Sequence, residues 1–140
     1  MKPVQIMFLC TGNSCRSQIA EGIAKHLSEN KVKVYSAGTE THGLNPRAVE
    51  TLQEIGIDIS SQRSELINPQ LLAQMDYVIT LCGDAAERCP QISPEAQHLH
   101  WGFPDPAQAT GSPEGIAAAF RKARDDIYKQ VEEFLANLPV

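Results

Sequence analysis

The run Val4-Gln5-Ile6-Met7-Phe8-Leu9 is apolar on both sides of its pleat. A strand of that kind has to be covered on both faces, which points to a parallel sheet sandwiched by helices. The rest of the chain supplies those helices in alternation. Ile19, Ala20, Ile23, Ala24 and Leu27 recur at helical spacing. Val32 to Ser36 is β-branched and alternating, as a second strand should be. Asn45-Pro46 provides an N-cap and a first-turn proline for a helix carrying Val49, Leu52 and Ile55, which Gly56 closes. Asn68-Pro69 repeats that punctuation ahead of Leu71, Leu72 and Met75. Tyr77 to Leu81 reads as a third strand, Gly83 to Arg88 as a helical turn ended by Pro90, and Gln97 to Trp101 as a weaker fourth strand. Ser112-Pro113 then opens a long helix with an apolar face of Ile116, Phe120, Ala123, Ile127, Val131, Phe134 and Leu138. The expected class is α/β. No linker or repeat divides the sequence, so residues 1–140 read as one domain.

At 140 residues, with 42% hydrophobic and 21% charged positions, the chain can bury a core without covalent staples. Its four cysteines therefore call for another explanation. The formal net charge of −5 argues against nucleic acid or an anionic membrane as partner. An anionic substrate would have to be drawn in by local geometry. The opening apolar run is too short for a signal-peptide core with a cleavage site, and nothing approaches a span of ~20 apolar residues. A cytoplasmic setting is expected, where thiols stay reduced and cysteines are catalytic, metal-binding or inert.

The most informative stretch joins the first strand to the first helix: Cys10-Thr11-Gly12-Asn13-Ser14-Cys15-Arg16-Ser17. Five residues between Cys10 and Arg16 suffice to wrap main-chain N–H groups around one tetrahedral oxyanion above a helix N-terminus. Gly12 and Asn13 tolerate the left-handed backbone expected of such a nest. Cys10 would sit at the base of the anion, in a positive field of amides, helix dipole and Arg16 guanidinium that favours the thiolate. Arg16 can grip two oxygens at once, as a lysine cannot. The hydroxyls of Ser14 and Ser17 are in range of the Cys10 sulfur or of the loop itself. The bland alternative, a buried cysteine in an ordinary strand-to-helix turn, leaves the coincidence of spacing, glycine and arginine unexplained.

This loop, with Asp105-Pro106 late in the chain, resembles the low-molecular-weight protein tyrosine phosphatase superfamily. More closely it is similar to the thioredoxin-coupled arsenate reductases built on that fold. The resemblance covers nearly the whole sequence, through Tyr35-Ser36-Ala37-Gly38, His42-Gly43-Leu44-Asn45-Pro46, Gly56-Ile57-Asp58-Ile59-Ser60, Thr80-Leu81-Cys82-Gly83-Asp84-Ala85-Ala86 and His100-Trp101-Gly102-Phe103. It implies a four-stranded parallel sheet in spatial order 2-1-3-4, which periodicity alone does not give. It also implies that Thr11 to Ser17 bind the substrate anion and that Cys15 is a structural thiol outside the redox chain.

If strands 1 and 3 are neighbours, Cys10 and Cys82 emerge together at the carboxyl edge of the sheet, where α/β proteins bind ligands. Asp105 follows the fourth strand and reaches the same edge. Three candidate groups from separate segments would then share one rim. Alternatives remain: Cys82 and Cys89 as inert core thiols, or Asp105 as a plain turn residue between Pro104 and Pro106. A zinc clamp is disfavoured, because Cys10 and Cys15 alone have suitable spacing and the loop explains them better. His26, His42, His98 and His100 are scattered and read as surface or packing residues, and the aromatic side chains as core and rim packing.

The activity that the resemblance implies is reduction of arsenate. Cys10 attacks the bound anion, Arg16 offsets its charge and Asp105 protonates the departing oxygen. Cys82 then attacks the Cys10 sulfur and releases arsenite, Cys89 attacks Cys82, and thioredoxin reduces the resulting Cys82–Cys89 disulfide. Seven residues of helix span about 10.5 Å, whereas bridged Cα atoms lie within roughly 7 Å. A helical 82–89 segment would therefore have to unwind to form that bond. No metal or organic cofactor is expected, and a monomer is. Family members with a potassium site use an asparagine and a serine, matched by Asn13 and Ser36, and a later threonine and aspartate, replaced here by Arg63 and Glu65. The arginine is expected to set a fixed positive charge where the cation would sit, so no potassium dependence is expected. Two other functions stand beside this one. A tyrosine phosphatase would need no second or third thiol and would need an aromatic grip, but Ala107 follows Asp105-Pro106. A non-catalytic redox sensor would leave the loop unexplained.

Overall fold

A computed structural model describes residues 4–29, 31–81 and 96–138. The expected helical turn from Gly83 to Arg88, with Cys82, Cys89 and Pro90, lies outside the described residues. Four parallel strands form one sheet: β1 (Gln5–Cys10), β2 (Lys33–Gly38), β3 (Tyr77–Thr80) and β4 (Gln97–His100), in the order β2-β1-β3-β4. The helices are α1 (Arg16–Ser28), α2 (Pro46–Gln53), α3 (Pro69–Leu72) and α4 (Pro113–Ala136), with a 3-10 turn at Pro106–Gln108. Both β1 and β2 run one or two residues further than the apolar pattern suggested, to Cys10 and Gly38, which pair in register. That extension carries Cys10 to the last position of the central strand.

Alternation along β1 divides the core into two layers. Ile6, Phe8 and Cys10 face α1, α2 and α4, packing with Ile19, Ile23, Leu52, Phe120 and Ile127. Met7 and Leu9 face the other way, against Leu72 and Met75 from α3 and the turn after it. Helices therefore cover both faces, as the apolar first strand required. Trp101 bridges Phe8 and Phe134 at ring-centroid distances of 5.9 and 5.5 Å, so the aromatic residues do serve packing. Ile55 departs from its expected core role: it lies beyond the last turn of α2 and is exposed, while Ala48, Thr51 and Leu52 bury that helix. Strand β4 shows why it read weakly, for it is an edge strand whose residues are exposed apart from a half-buried Leu99. Backbone pairing with β3 holds it instead.

The helix starts show a contrast that bears on function. Asn45 accepts from the Arg47 N–H, Asn68 from Gln70 and Leu71, and Ser112 from Gly115, so α2, α3 and α4 have side-chain caps. Helix α1 starts after Cys15 with no side-chain cap. Its first-turn N–H groups are left for another acceptor.

Candidate active site

Residues 10–16 run from the end of β1 to the start of α1, and their geometry is fixed from outside. A nest of inward N–H groups requires the carbonyls to point outward and find donors there. Each one does. Thr11 O accepts from Glu40 N (2.9 Å) and Thr39 Oγ1 (3.4 Å). Gly12 O accepts from His42 N (3.0 Å) and Ser64 Oγ (2.8 Å). Asn13 O accepts from Gln18 Nε2 (3.0 Å), and Ser14 O from Asn45 N (3.1 Å). Gln18 is local, in the first turn of α1, whereas Thr39, Glu40 and Ser64 lie in segments whose place beside the loop depends on the tertiary fold.

Asn13 takes the left-handed conformation, at φ 49°. Its fully buried side chain acts as a hub: Oδ1 accepts from Glu65 N (2.7 Å) and Gln18 Nε2 (3.1 Å), and Nδ2 donates to Ser17 Oγ (2.7 Å). Ser17 in turn donates to Cys10 Sγ at 3.4 Å, which favours the sulfur anion. Ser14 is placed differently, with Oγ 3.5 Å from Cys15 Sγ. Gly12 does not have a positive φ, contrary to expectation. The reason for glycine there is crowding, because a Cβ would come within 2.3 Å of His42 Nδ1. Gly38 is enclosed by main chain instead, since a Cβ there would meet Thr11 O at 2.6 Å, Glu40 O at 2.7 Å and Asn13 N at 2.9 Å.

Arg16 is pinned across the sheet edge. Nη1 donates to Phe103 O at 3.0 Å and lies 3.5 Å from Leu81 O, while Nη2 is 3.5 Å from Asp105 Oδ2. Its Nε is buried and has no partner among the described residues, an open donor in a side chain that lines the pocket. Asp105 is a turn residue, as one expected reading had it, and it also reaches the pocket edge. Oδ1 accepts from Ala107 N (3.0 Å) and caps the 3-10 turn, which leaves Oδ2 facing the guanidinium. Burial pushes the Cys15 thiol above its ordinary range, against the opposing donor Ser14 and with the Asp105 carboxylate adding to the rise. A thiol so held is a poor nucleophile. Leu81, the residue before Cys82, donates its N–H to Leu9 O at 2.8 Å and so reaches the same edge.

These groups enclose a pocket of about 310 Å³ lined by Cys10, Arg16, His42, Asp105, Ala107 and Gln108 together with Thr11, Gly12, Ser14 and Cys15; Asn13 and Ser17, expected at the anion, are buried behind it. His42, which the sequence marked only as surface or packing, is part of its wall. Phe, Tyr and Trp are absent from its described lining. A larger cavity of about 480 Å³ beside β2 holds Glu21, Lys25, Ser36 and Arg63, and no cysteine is among its described lining. There Ser36 donates to the Glu21 carboxylate and the Lys25 ammonium pairs with it. The positive charge on that carboxylate belongs to Lys25; Arg63, expected at the cation position, lines the same cavity and accepts from Gln18 Nε2 through its main-chain oxygen. With Asn13 Oδ1 taken by two N–H donors and Glu21 by an ammonium, these residues do not fit a bound potassium ion. No group of three or more metal-ligating side chains occurs among the described residues.

A buried cysteine at the end of a central strand, a clamped amide loop and an arginine held over it define an oxyanion-handling class of α/β protein. Residues 5–139 match the family model described as low molecular weight phosphotyrosine protein phosphatase, and the chain belongs to that family. Within it, the chain is 54% identical over 129 residues to the arsenate reductase of Bacillus subtilis (strain 168), covering 92% of this chain and 93% of that one. A solved structure described as an arsenate reductase in the phosphate binding state is 36% identical, with a TM-score of 0.76 over 95% of this chain and 97% of that one. A tyrosine phosphatase of Erwinia amylovora shares the fold at a TM-score of 0.83 and 16% identity, over 99% of this chain and 95% of its own.

Proposed function

We propose that the protein reduces arsenate to arsenite through three thiols. The observation that carries this reading is the loop after Cys10, whose carbonyls are held by outside donors, beside a helix end with no side-chain cap; its amides are then left to face the anion. Cys10, as thiolate, attacks arsenic; a sulfur–arsenic bond forms, and an oxygen leaves as water, protonated by Asp105. Arg16 offsets the anion's charge through Nε and Nη2. Cys82 then attacks the Cys10 sulfur. A disulfide forms, the sulfur–arsenic bond breaks, and its electron pair stays on arsenic, which departs as arsenite. Cys89 attacks Cys82, frees Cys10 as thiolate and leaves a Cys82–Cys89 disulfide. Thioredoxin, a dithiol protein, supplies the two electrons that reset it. Leu81 at the edge beside β1 supports a role for Cys82 in that sequence. We place the activity in a single domain acting as a cytoplasmic monomer; no helix among the described residues is long and apolar enough to cross a membrane.

The test is one turnover of arsenate with reduced protein, followed by acid trapping and mass spectrometry. Wild type should yield one arsenite and a Cys82–Cys89 disulfide. Cys89→Ser should stop after one turnover with Cys10–Cys82 trapped, and Cys82→Ser should release no arsenite. Multiple turnovers by Cys89→Ser would overturn the relay. Phosphatase activity follows from the same loop as a weak side reaction, because the described pocket offers no aromatic side chain to grip a phenyl ring.

A further inference from the structure

The pocket holds a charge problem. A dianion seated above Cys10 faces a sulfur anion below and the Asp105 carboxylate at the side. Among the described lining residues, only Arg16 and His42 can carry positive charge. Arg16 is already shared with Asp105. The His42 ring stands over Gly12, where no side chain competes for the space, and its main chain is fastened to Gly12 O. His42 Nε2 lies 2.9 Å from Glu40 Oε2. A carboxylate only accepts, so Nε2 carries the hydrogen in the neutral ring and Nδ1, on the Gly12 side, is the nitrogen left to take a proton. The charged and titratable groups around the ring are Glu40 on its own segment, Cys10 and Cys15 in the loop, Arg16 from α1 and Asp105 ahead of the 3-10 turn.

We propose that His42, oriented by Glu40, is the second cationic group of the anion site and takes up a proton on Nδ1 when a dianion binds. The proposal rests on the oxyanion reading of the loop. Binding and protonation are linked, so each favours the other by the same factor. The ring is half exposed and acts partly through solvent, so its loss should weaken a dianion by roughly three- to tenfold, against far more for Arg16.

The experiment is calorimetric titration of the reduced full chain with inorganic sulfate, whose own charge stays constant, in buffers of different ionisation heat between about pH 6 and 8. Wild type should bind with net proton uptake. His42→Gln should bind about three- to tenfold more weakly with less uptake, and should raise the arsenate KM while kcat holds. His42→Lys, a permanent cation, should recover affinity without that uptake. If His42→Gln matches wild type in affinity and uptake, or His42→Lys binds no better than His42→Gln, this proposal is overturned and the anion site stands. Failure of wild type to bind sulfate or inorganic phosphate would overturn both.

Discussion

Gly38→Ala is the sharpest perturbation of the loop that leaves every reacting group in place. Gly38 ends β2 opposite Cys10, and the space its side chain would need is filled by main chain. The three approaches of 2.6, 2.7 and 2.9 Å are to Thr11 O, Glu40 O and Asn13 N, none of which can swing aside like a side chain. Overpacking by one methyl in such a place costs about 1–3 kcal/mol. For a chain of this length that is a fall in Tm of roughly 3–12 °C. The functional loss should be larger than the stability loss. Relief of the clash displaces Thr11 and Asn13 and with them the loop between Cys10 and Arg16, and a misplacement of about 1 Å can cost about 10²-fold in rate. Gly12→Ala provides the contrast, since the atoms it meets belong to the exposed His42 ring, which can rotate away. Thermal melts with and without inorganic phosphate, and kcat/KM for arsenate, measure both effects. Gly38→Ala with wild-type Tm and activity, or with losses no greater than those of Gly12→Ala, would refute the claim that backbone crowding at Gly38 shapes the loop.

Arg16→Lys keeps the charge but loses the fork that spans Phe103 O, Asp105 and the anion, so kcat/KM should fall by at least about a hundredfold. Asp105→Asn should lower kcat by about 10²–10⁴ in single-turnover assays, the usual range for losing a general acid, with anion affinity retained. Glu54, held by Arg121 and then Arg124, has its carboxyl lowered from 4.5 to about 2. A folded-state value below the unfolded one gives stability that is present above about 4.5 and lost as pH falls toward 2. Urea midpoints of wild type and Glu54→Gln should therefore converge across that window, by a small amount because the group is exposed. Arsenate turnover should be flat when potassium replaces sodium, because Lys25 already satisfies Glu21.

Local chemistry was legible in the sequence and distant partnership was not. The caps at Asn45, Asn68 and Ser112 depend on neighbours two or three residues away, and all three behave as read. The apolar alternation of β1 announced two covered faces, and both exist. The donors that aim the loop are another matter. Ser64 and Glu65 reach Gly12 and Asn13 from 52 residues away, and nothing in their own neighbourhood marks them. His42 was read as ordinary because isolated histidines usually are; only the path of residues 38–42 over the loop makes it a wall. Glycine is required at position 12 for a reason other than backbone freedom. Backbone freedom is the usual need for glycine in such a loop, and here it is lateral space.

The bare start of α1 has one more implication. An anion bound there, as proposed, would complete a motif that the other three helices complete from their own sequence, so folding and ligand capture would draw on the same hydrogen bonds. Such a protein is firmer when loaded than when empty: an anion at a hundred times its dissociation constant adds about 2.7 kcal/mol. Ambient phosphate would then steady the fold between turnovers and compete with its heavier analogue by mass action.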